Sequence, residues 1–443
     1  MQCSDEVEVL EKAREYNVKF VRLQFTDIFG ALKNVAITVE DLPRVLNEGM
    51  LFDASVVEGL IPHRQTDMVL RPDPRSFVVF PWRPREGAVA RLLCDLYTPA
   101  GEPFPSCSRS VLRKVREEAR SKGWELMVAS EAEFFLFQLD DRGQPTTLTH
   151  DLASYCDLTP IDLGENARRD MVLTLQEMGF DIASSHHELG PGQHEIALKP
   201  ADALQAADQL VTFKFVVRTI AQRHGLHASF MPKPLSGVNG SGLCLQLQVW
   251  QGDRNCLWDP QGEWGLSRAG RGFIGGILRH ARGTCALTNP LVNSYKRLIP
   301  SDTAPTFVAW AEESRNAIIR LPAGRGAGTR IEVRHPDPTC NPYLALAVLF
   351  RAGLAGVSQG LEPSPPVPEN LYRSKGGGHR EPRGACLPRT LEQALEAMRE
   401  DDLVRETLGE TLFDLYYRAK LREWERFIAE VHPWELEEYL KAY

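Results

Sequence analysis

No segment of this sequence is apolar for long enough to cross a bilayer, which takes about 20 predominantly apolar residues. Positive charge is not in excess either: 51 Lys and Arg stand against 59 Asp and Glu, a net charge of −8. Neither nucleic acid nor an acidic membrane surface is therefore expected as a partner. The nine cysteines are scattered, odd in number and without a Cys-x-x-Cys pair, which argues for reduced thiols in a cytoplasmic protein. The start, Met1-Gln2-Cys3-Ser4-Asp5-Glu6, is polar and acidic and does not read as a signal peptide. Walker A and protein-kinase signatures are missing, so the common nucleotide cradles are excluded. There is no internal repeat. What remains is a chain of 443 residues, enough for two or three domains and a large core.

The informative stretch is Val128 to Lys199, which carries two acidic sets. In Ser130-Glu131-Ala132-Glu133-Phe134-Phe135-Leu136-Phe137, strand alternation puts Glu131, Glu133, Phe135 and Phe137 on one face. Their carboxylates are then about 7 Å apart, twice the strand rise. In His186-His187-Glu188-Leu189-Gly190-Pro191-Gly192-Gln193-His194-Glu195, the Gly-Pro-Gly turn lets Glu188 and Glu195 end on neighbouring hairpin strands. Four carboxylates converging on one cleft repel each other unless cations lie between them. Hard oxygen donors of this kind suit Mg²⁺ or Mn²⁺. A lone Glu-x-Glu is better read as a solvated strand; two sets flanked by apolar strand residues favour a metal site.

In chain order, a helix to about Tyr16 is capped by Ser4 or Asp5, and Val18–Thr26 alternates with Val21, Leu23 and Phe25 inward. Leu51 to Gly59 reads as an apolar loop with a buried Asp53, and Phe77 to Trp82 as a strand. The Pro- and Gly-dense Thr98 to Pro105 marks a boundary, dividing the chain into domains 14–100 and 106–443. Beyond it, Ala203 to Arg223 has helical period, Leu243 to Trp250 is a strand, and Gly272 to Ala281 is a Gly-rich helix. On the Leu243 strand, Cys244, Gln246 and Gln248 face one way and the leucines the other. Thr329 to Arg334 alternates, with Arg330, Glu332 and Arg334 on one face, and Gly360 to Leu387 is a long loop.

Acidic ligands combined with arginines suggest phosphoryl chemistry, in which guanidiniums neutralise the transferred group. The arginines in question are Arg297, Arg315, Arg320, Arg330 and Arg334. Arg218 and Arg223 read instead as surface salt-bridge formers.

The ordered motifs resemble type I glutamine synthetase along nearly the whole chain, in the shorter bacterial form without an adenylylation insert. They include Val21-Arg22-Leu23-Gln24-Phe25-Thr26-Asp27, Phe52-Asp53 with Ser55, and Glu131-Ala132-Glu133. His186-His187-Glu188, Gly192-Gln193-His194-Glu195, Phe230-Met231-Pro232-Lys233-Pro234 and Asn239-Gly240-Ser241-Gly242 continue the series. Asn293-Ser294-Tyr295-Lys296-Arg297, Arg330-Ile331-Glu332-Val333-Arg334 and His432-Pro433-Trp434 complete it.

The resemblance implies an α+β fold: an N-terminal β-grasp domain and an α/β catalytic domain with a curved antiparallel sheet. It implies a dodecamer of two hexameric rings, and a reaction that joins glutamate to ammonia, or to another amine, with ATP through an acyl phosphate. By that resemblance Glu133, Glu188 and Glu195 hold one divalent ion, and Glu131 and Glu332 hold a second. Asn239, Gly240, Arg297 and Arg334 hold glutamate; Arg315, Arg320 and Arg330 contact phosphate. Asp53 helps bind ammonium from a neighbouring subunit. The departures cluster at the site. Cys244 replaces a family His that ligates the second ion. Gln246 replaces His or Asn, and Gln248 replaces Ser near the nucleotide. In the flap Pro300-Ser301-Asp302-Thr303-Ala304-Pro305, Thr303 replaces the Glu that takes a proton from ammonium, with Asp302 beside it.

Overall fold

A computed structural model describes residues 5–55, 57, 67–84, 86–301, 304–367 and 385–443. The N-terminal sheet contains β1 (Val18–Thr26), β2 (Leu32–Thr38), β3 (Met50–Asp53), β4 (Asp67–Pro72), β5 (Val78–Val79) and β6 (Ala88–Tyr97). Its order is β2-β1-β6-β4-β3, with β5 also on β6 and with β1 and β6 parallel. Val21, Leu23 and Phe25 are buried as the alternation requires, and Asp5 caps the helix Glu6–Glu15 through the Glu8 N–H.

Two local expectations are corrected. The stretch from Leu51 is not a loop throughout, because β3 pairs with β4 in register Leu51–Val69. As the sheet's edge strand, β3 turns Phe52 onto the Phe25 ring, 5.0 Å away, and leaves Asp53 exposed rather than buried. The Phe77 strand shrinks to Val78–Val79, because Pro81 offers no N–H to extend the ladder.

The second sheet holds β7 (Glu125–Leu139), β8 (Pro145–Thr149), β9 (Ile182–His187), β10 (Gln193–Asp202), β11 (Leu226–Ser229) and β12 (Leu243–Gln251). It is completed by β13 (Arg254–Asn255), β14 (Phe307–Ala311), β15 (Ala317–Arg320) and β16 (Ile331–Val333). The order β14-β15-β16-β12-β7-β10-β9 is antiparallel except that β14 and β15 run parallel, a departure from the fully antiparallel expectation. The helix Ala203–Arg223 runs as its period predicts. Of its arginines, Arg223 donates to the Trp82 carbonyl and Arg218 lies over the Phe230 ring, and among the described residues neither makes the expected salt bridge.

The Gly-rich helix is longer than its glycines suggest, Arg268–Thr288, and packs against Pro342–Gln359. The glycines are there for close approach: a Cβ on Gly276 would strike the Ala352 carbonyl, and one on Gly356 the Gly272 carbonyl. Most of the expected long loop, residues 368–384, lies outside the described residues; Leu361–Val367 carries no regular structure.

The two sheets are joined by a buried ionic hub. Arg109, 4 % exposed, donates to Asp73 (2.7 Å) and Asp95 (3.0 Å) of the N-terminal part and to Asp208 (2.9 Å) on the Ala203 helix. Tyr343 Oη adds a donor to Asp208 at 2.7 Å.

Candidate active site

The site is written along the faces of three adjacent strands. Glu195 of β10 is the cross-strand partner of Glu133 on β7, and Cys244 of β12 is the partner of Glu131. Directly opposed residues share a face at about 5 Å, so register alone sets these four side chains in one group. Glu188 follows the last residue of β9 and turns into the same cleft. The cleft encloses about 730 Å³. Asn239, Gly240, Arg297, Arg315, Arg320 and Arg334 line it opposite the carboxylates, as expected for a site that binds a charged substrate.

Crowding dominates the electrostatics. Burial and the neighbouring Glu188 push the Glu133 carboxyl up to about 7. Burial with Glu133, Glu131 and Glu188 pushes Glu195 up to about 9. Burial and Glu332 also raise Glu131. Such a set of oxygen donors takes a divalent cation in place of protons, and the residues present therefore fit a metal. One ligand atom from each of His186, Glu188 and Glu195 lies within 4.8 Å of the others. Glu133 also lines the cleft, where it accepts from the Gly242 N–H at 2.8 Å and from Gln193 Nε2 at 3.1 Å.

His186 was not assigned a role from sequence. Its Nε2 is 2.9 Å from Glu188 Oε1 and 3.9 Å from Glu195. The signal was available, since His186 and Glu188 are two residues apart on an extended segment and share its face.

The same strand faces continue into a second cavity of about 580 Å³, lined by Met127 and Ala129 of β7 and by Gln246, Gln248 and Trp250 of β12. Arg330 reaches this cavity rather than the first. Gln246 Nε2 donates to Glu131 at 2.6 Å, while Gln248 Nε2 is held by the Thr329 and Ala327 carbonyls at 3.0 and 3.2 Å. Glu332 does not line either cavity. It is 1 % exposed and lies against Arg320 (2.6 Å), Arg330 (3.3 Å) and Arg334 (4.0 Å). Asp53 stands apart on the edge of the N-terminal sheet, its carboxylate accepting the Ser55 N–H. Asp302 and Thr303 lie outside the described residues, although Ser301 and Ala304 on either side line the cleft.

Arg297 is fixed before any ligand arrives. Its guanidinium donates to the His335 carbonyl at 2.8 Å and the Arg334 carbonyl at 3.2 Å, and it packs so closely on Gly242 that no Cβ fits there.

A β-grasp-like sheet joined to a strand-lined acidic cleft whose residues fit a divalent metal defines a two-domain α+β class of protein. The comparisons narrow this. Residues 17–99 match the family described as glutamine synthetase, beta-Grasp domain, and residues 105–439 match glutamine synthetase, catalytic domain. The chain is 49% identical over 436 residues to the glutamine synthetase of Clostridium saccharobutylicum, covering 98% of each. It is also 49% identical over 440 residues to that of Thermus thermophilus, covering 98% of this chain and 99% of the relative. Among solved structures, one titled "GmaS/ADP complex-Conformation 1" superposes with a TM-score of 0.88 at 29% identity, over 98% of this chain and 99% of that one. Another, "Apo GmaS without ligand", gives 0.87 at 30% identity, over 97% and 99%. The chain belongs to the glutamine synthetase family.

Proposed function

We propose that this chain is an ATP-dependent ligase that makes glutamine from glutamate and ammonia through a γ-glutamyl phosphate. The observation that carries the reading is the cleft: Glu131, Glu133, Glu188 and Glu195 over one sheet face, opposed by Arg297, Arg315, Arg320 and Arg334. A γ-carboxylate oxygen of glutamate attacks the γ-phosphorus of ATP, and the bond to ADP breaks. The amine nitrogen then attacks the acyl carbon, phosphate leaves, and one proton is taken from nitrogen.

Glu133, Glu188 and Glu195 would hold one Mg²⁺ or Mn²⁺, and Glu131 and Glu332, with Cys244 beside them, a second. Bound there, such ions neutralise charge on phosphate oxygens. Arg297, Arg334, Asn239 and Gly240 orient glutamate, Arg297 being held rigid by two backbone carbonyls. Arg315, Arg320 and Arg330 meet the phosphates. The nucleotide lies along β7 and β12 toward Gln246 and Gln248; the relative whose title names ADP supports a nucleotide on this fold. Asp53 is exposed and does not line its own cleft, which suits a residue that serves a neighbouring copy in a dodecamer of two hexameric rings. The division into domains 14–100 and 106–443 belongs to the same reading.

A second reading, transfer to an amine other than ammonia, is favoured by Cys244 in the cleft and by Thr303 at the flap. Mass spectrometry of ATP-dependent products from glutamate and a panel of amines decides between them. Glutamine from ammonia is expected. A γ-glutamyl amide from another amine alone would replace the first reading with the second. No product with any amine would point to an inactive paralogue acting on an active synthetase.

A further inference from the structure

Gln193, the first residue of β10, is 1 % exposed and is given no role by the proposed reaction. Its amide is fully engaged. Oε1 accepts from the Gly190 N–H at 3.0 Å. A backbone N–H only donates, so this contact settles which end of the amide is oxygen. The nitrogen then faces two acceptors, Glu133 Oε2 at 3.1 Å and the Gly240 carbonyl at 3.2 Å, one for each of its hydrogens.

Those two acceptors belong to different halves of the cleft. Glu133 is one of the carboxylates that fit a divalent ion, and Gly240 lies on the loop assigned to glutamate. The same loop returns to Glu133 two residues later. The Gly242 N–H donates to Glu133 Oε2 at 2.8 Å, and the Glu133 N–H donates to the Gly242 carbonyl at 3.1 Å. Oε2 is thus committed to the loop and to Gln193. Among the described residues nothing donates to Oε1, which is the oxygen left for an ion.

The loop is pinned on its far side as well. The Ser241 N–H donates to the Pro232 carbonyl at 2.9 Å. The Asn293 amide accepts from the Lys233 N–H at 2.8 Å and donates to the Lys233 carbonyl at 3.0 Å, tying the segment to the short helix that carries Arg297. With both flanks fixed, the amide of Gln193 is the link through which the Glu133 carboxylate and the Gly240 carbonyl sense each other.

We propose, on that reading of the cleft, that Gln193 is a positioning residue that couples the divalent ion to glutamate. An ion that fixes the Glu133 carboxylate also fixes the amide and the carbonyl beyond it. Freedom lost when the first ligand binds is not lost again for the second, so each ligand tightens the other by the same factor. The link needs two donors on one nitrogen, which a side chain without an amide cannot supply.

The test uses the full chain at equilibrium, without turnover. Mn²⁺ affinity is read by electron paramagnetic resonance with and without saturating glutamate. Affinity for radiolabelled glutamate is read by dialysis with and without saturating Mn²⁺. In the wild type one shared factor is expected, within the roughly 5- to 150-fold range of ordinary coupling. Gln193→Met, which keeps the volume and loses the amide, is expected to cut that factor by roughly 2- to 30-fold while Mn²⁺ alone still binds. A merely structural Gln193 would weaken both ligands and leave the factor unchanged. An unchanged factor in Gln193→Met, or no coupling in the wild type, therefore overturns the role of Gln193 and leaves the proposed function standing. A wild type that binds Mn²⁺ but no glutamate removes both. If Gln193→Met does not fold, Gln193→Asn, whose amide is one methylene too short to span both acceptors, is read in the same way.

Discussion

Gln246 Nε2 lies 2.6 Å from Glu131 Oε1, although the two residues are not in register: Gln246 opposes Ala129, and its amide reaches diagonally to the next inward residue of β7. An amide donor thus fixes the rotamer of one carboxylate of the cleft. Cys244, the true partner of Glu131, is left with a thiol that burial, with Glu131 beside it, holds well above its ordinary pKa. A neutral thiol is a poor ligand for Mg²⁺.

Cys244→His combined with Thr303→Glu is expected to raise the ammonia-dependent rate far more than either change alone. Loss of one preorganised electrostatic contact costs about 3 kcal/mol of barrier, roughly a hundredfold. A missing base costs about 100- to 10,000-fold in a later step. Because the steps are successive, one reversion leaves the other limiting. Steady-state glutamine formation in the four proteins checks this, and a double mutant no faster than a fast wild type would mean that both departures are harmless.

Mn²⁺ or Mg²⁺ is expected to raise the melting temperature, by about 2.7 kcal/mol of stability at an ion concentration one hundred times Kd. Glu188→Ala removes a shared ligand and a cause of the raised Glu133 carboxyl, and should abolish most of that gain. Differential scanning calorimetry with and without ion measures it. An undiminished response in the mutant would assign the ion elsewhere.

Stability should also fall on the acid side through His335. Its ring is fully buried with both nitrogens unpartnered; burial first, and then the Arg297 charge, hold it at about 3, against 6.5 for an ordinary imidazole. The folded state then binds fewer protons than the unfolded one between those values. Its contribution is fully present above 6.5 and is lost progressively as pH falls toward 3. At pH 5 the loss is about 2 kcal/mol. Urea unfolding between pH 5 and 7.5 should show a flatter acid limb in His335→Leu than in the wild type; parallel limbs would remove His335 from the account.

Arg109→Met should be severely destabilising. It removes the shared cation from Asp73, Asp95 and Asp208, leaving them Arg113 and the Tyr343 hydroxyl, and breaking such a buried network commonly costs about 3–5 kcal/mol. Arg109→Lys should rescue little, because one ammonium cannot supply the forked donors that reach three carboxylates. Denaturant midpoints of both variants test this, and a cost below about 1 kcal/mol for Arg109→Met would contradict it.

In solution the chain is expected to form a ring rather than a monomer, since Asp53 is exposed on its own subunit and the reading places it at a neighbour's cleft. Light scattering at micromolar concentration should give a large multiple of 49.7 kDa. A mass matching one chain would remove Asp53 from the site.

What could be read from sequence was what repeats locally. The period of two places Glu131 with Glu133, and Cys244 with Gln246 and Gln248, because alternation is a property of the strand itself. Motif order brought the family. What could not be read depends on pairings distant in the chain. His187 meets Asp151 36 residues away, Arg109 meets Asp208 99 residues away, and Gln246 reaches Glu131 across 115. The burial of Glu332 among three arginines needed β15 and β16 to pair with Arg320 opposite Glu332. Asp53 was misjudged because apolar neighbours suggested burial, whereas its strand ends the sheet.

β12 has a consequence for how this sequence can diverge. Leu243, Leu245, Leu247 and Val249 are buried, while the residues between them face two cavities in turn. Substitution at 244 or 246 rewrites what the cavities hold and leaves the leucine face alone, while a change at 248 also releases the Thr329 and Ala327 carbonyls. Insertion or deletion of one residue would instead exchange the two sets, carrying glutamines inward and leucines into the cavities. Lineages that explore new acceptors through this strand are therefore expected to vary in letter and never in length between 243 and 249, with length changes confined to the connections on either side.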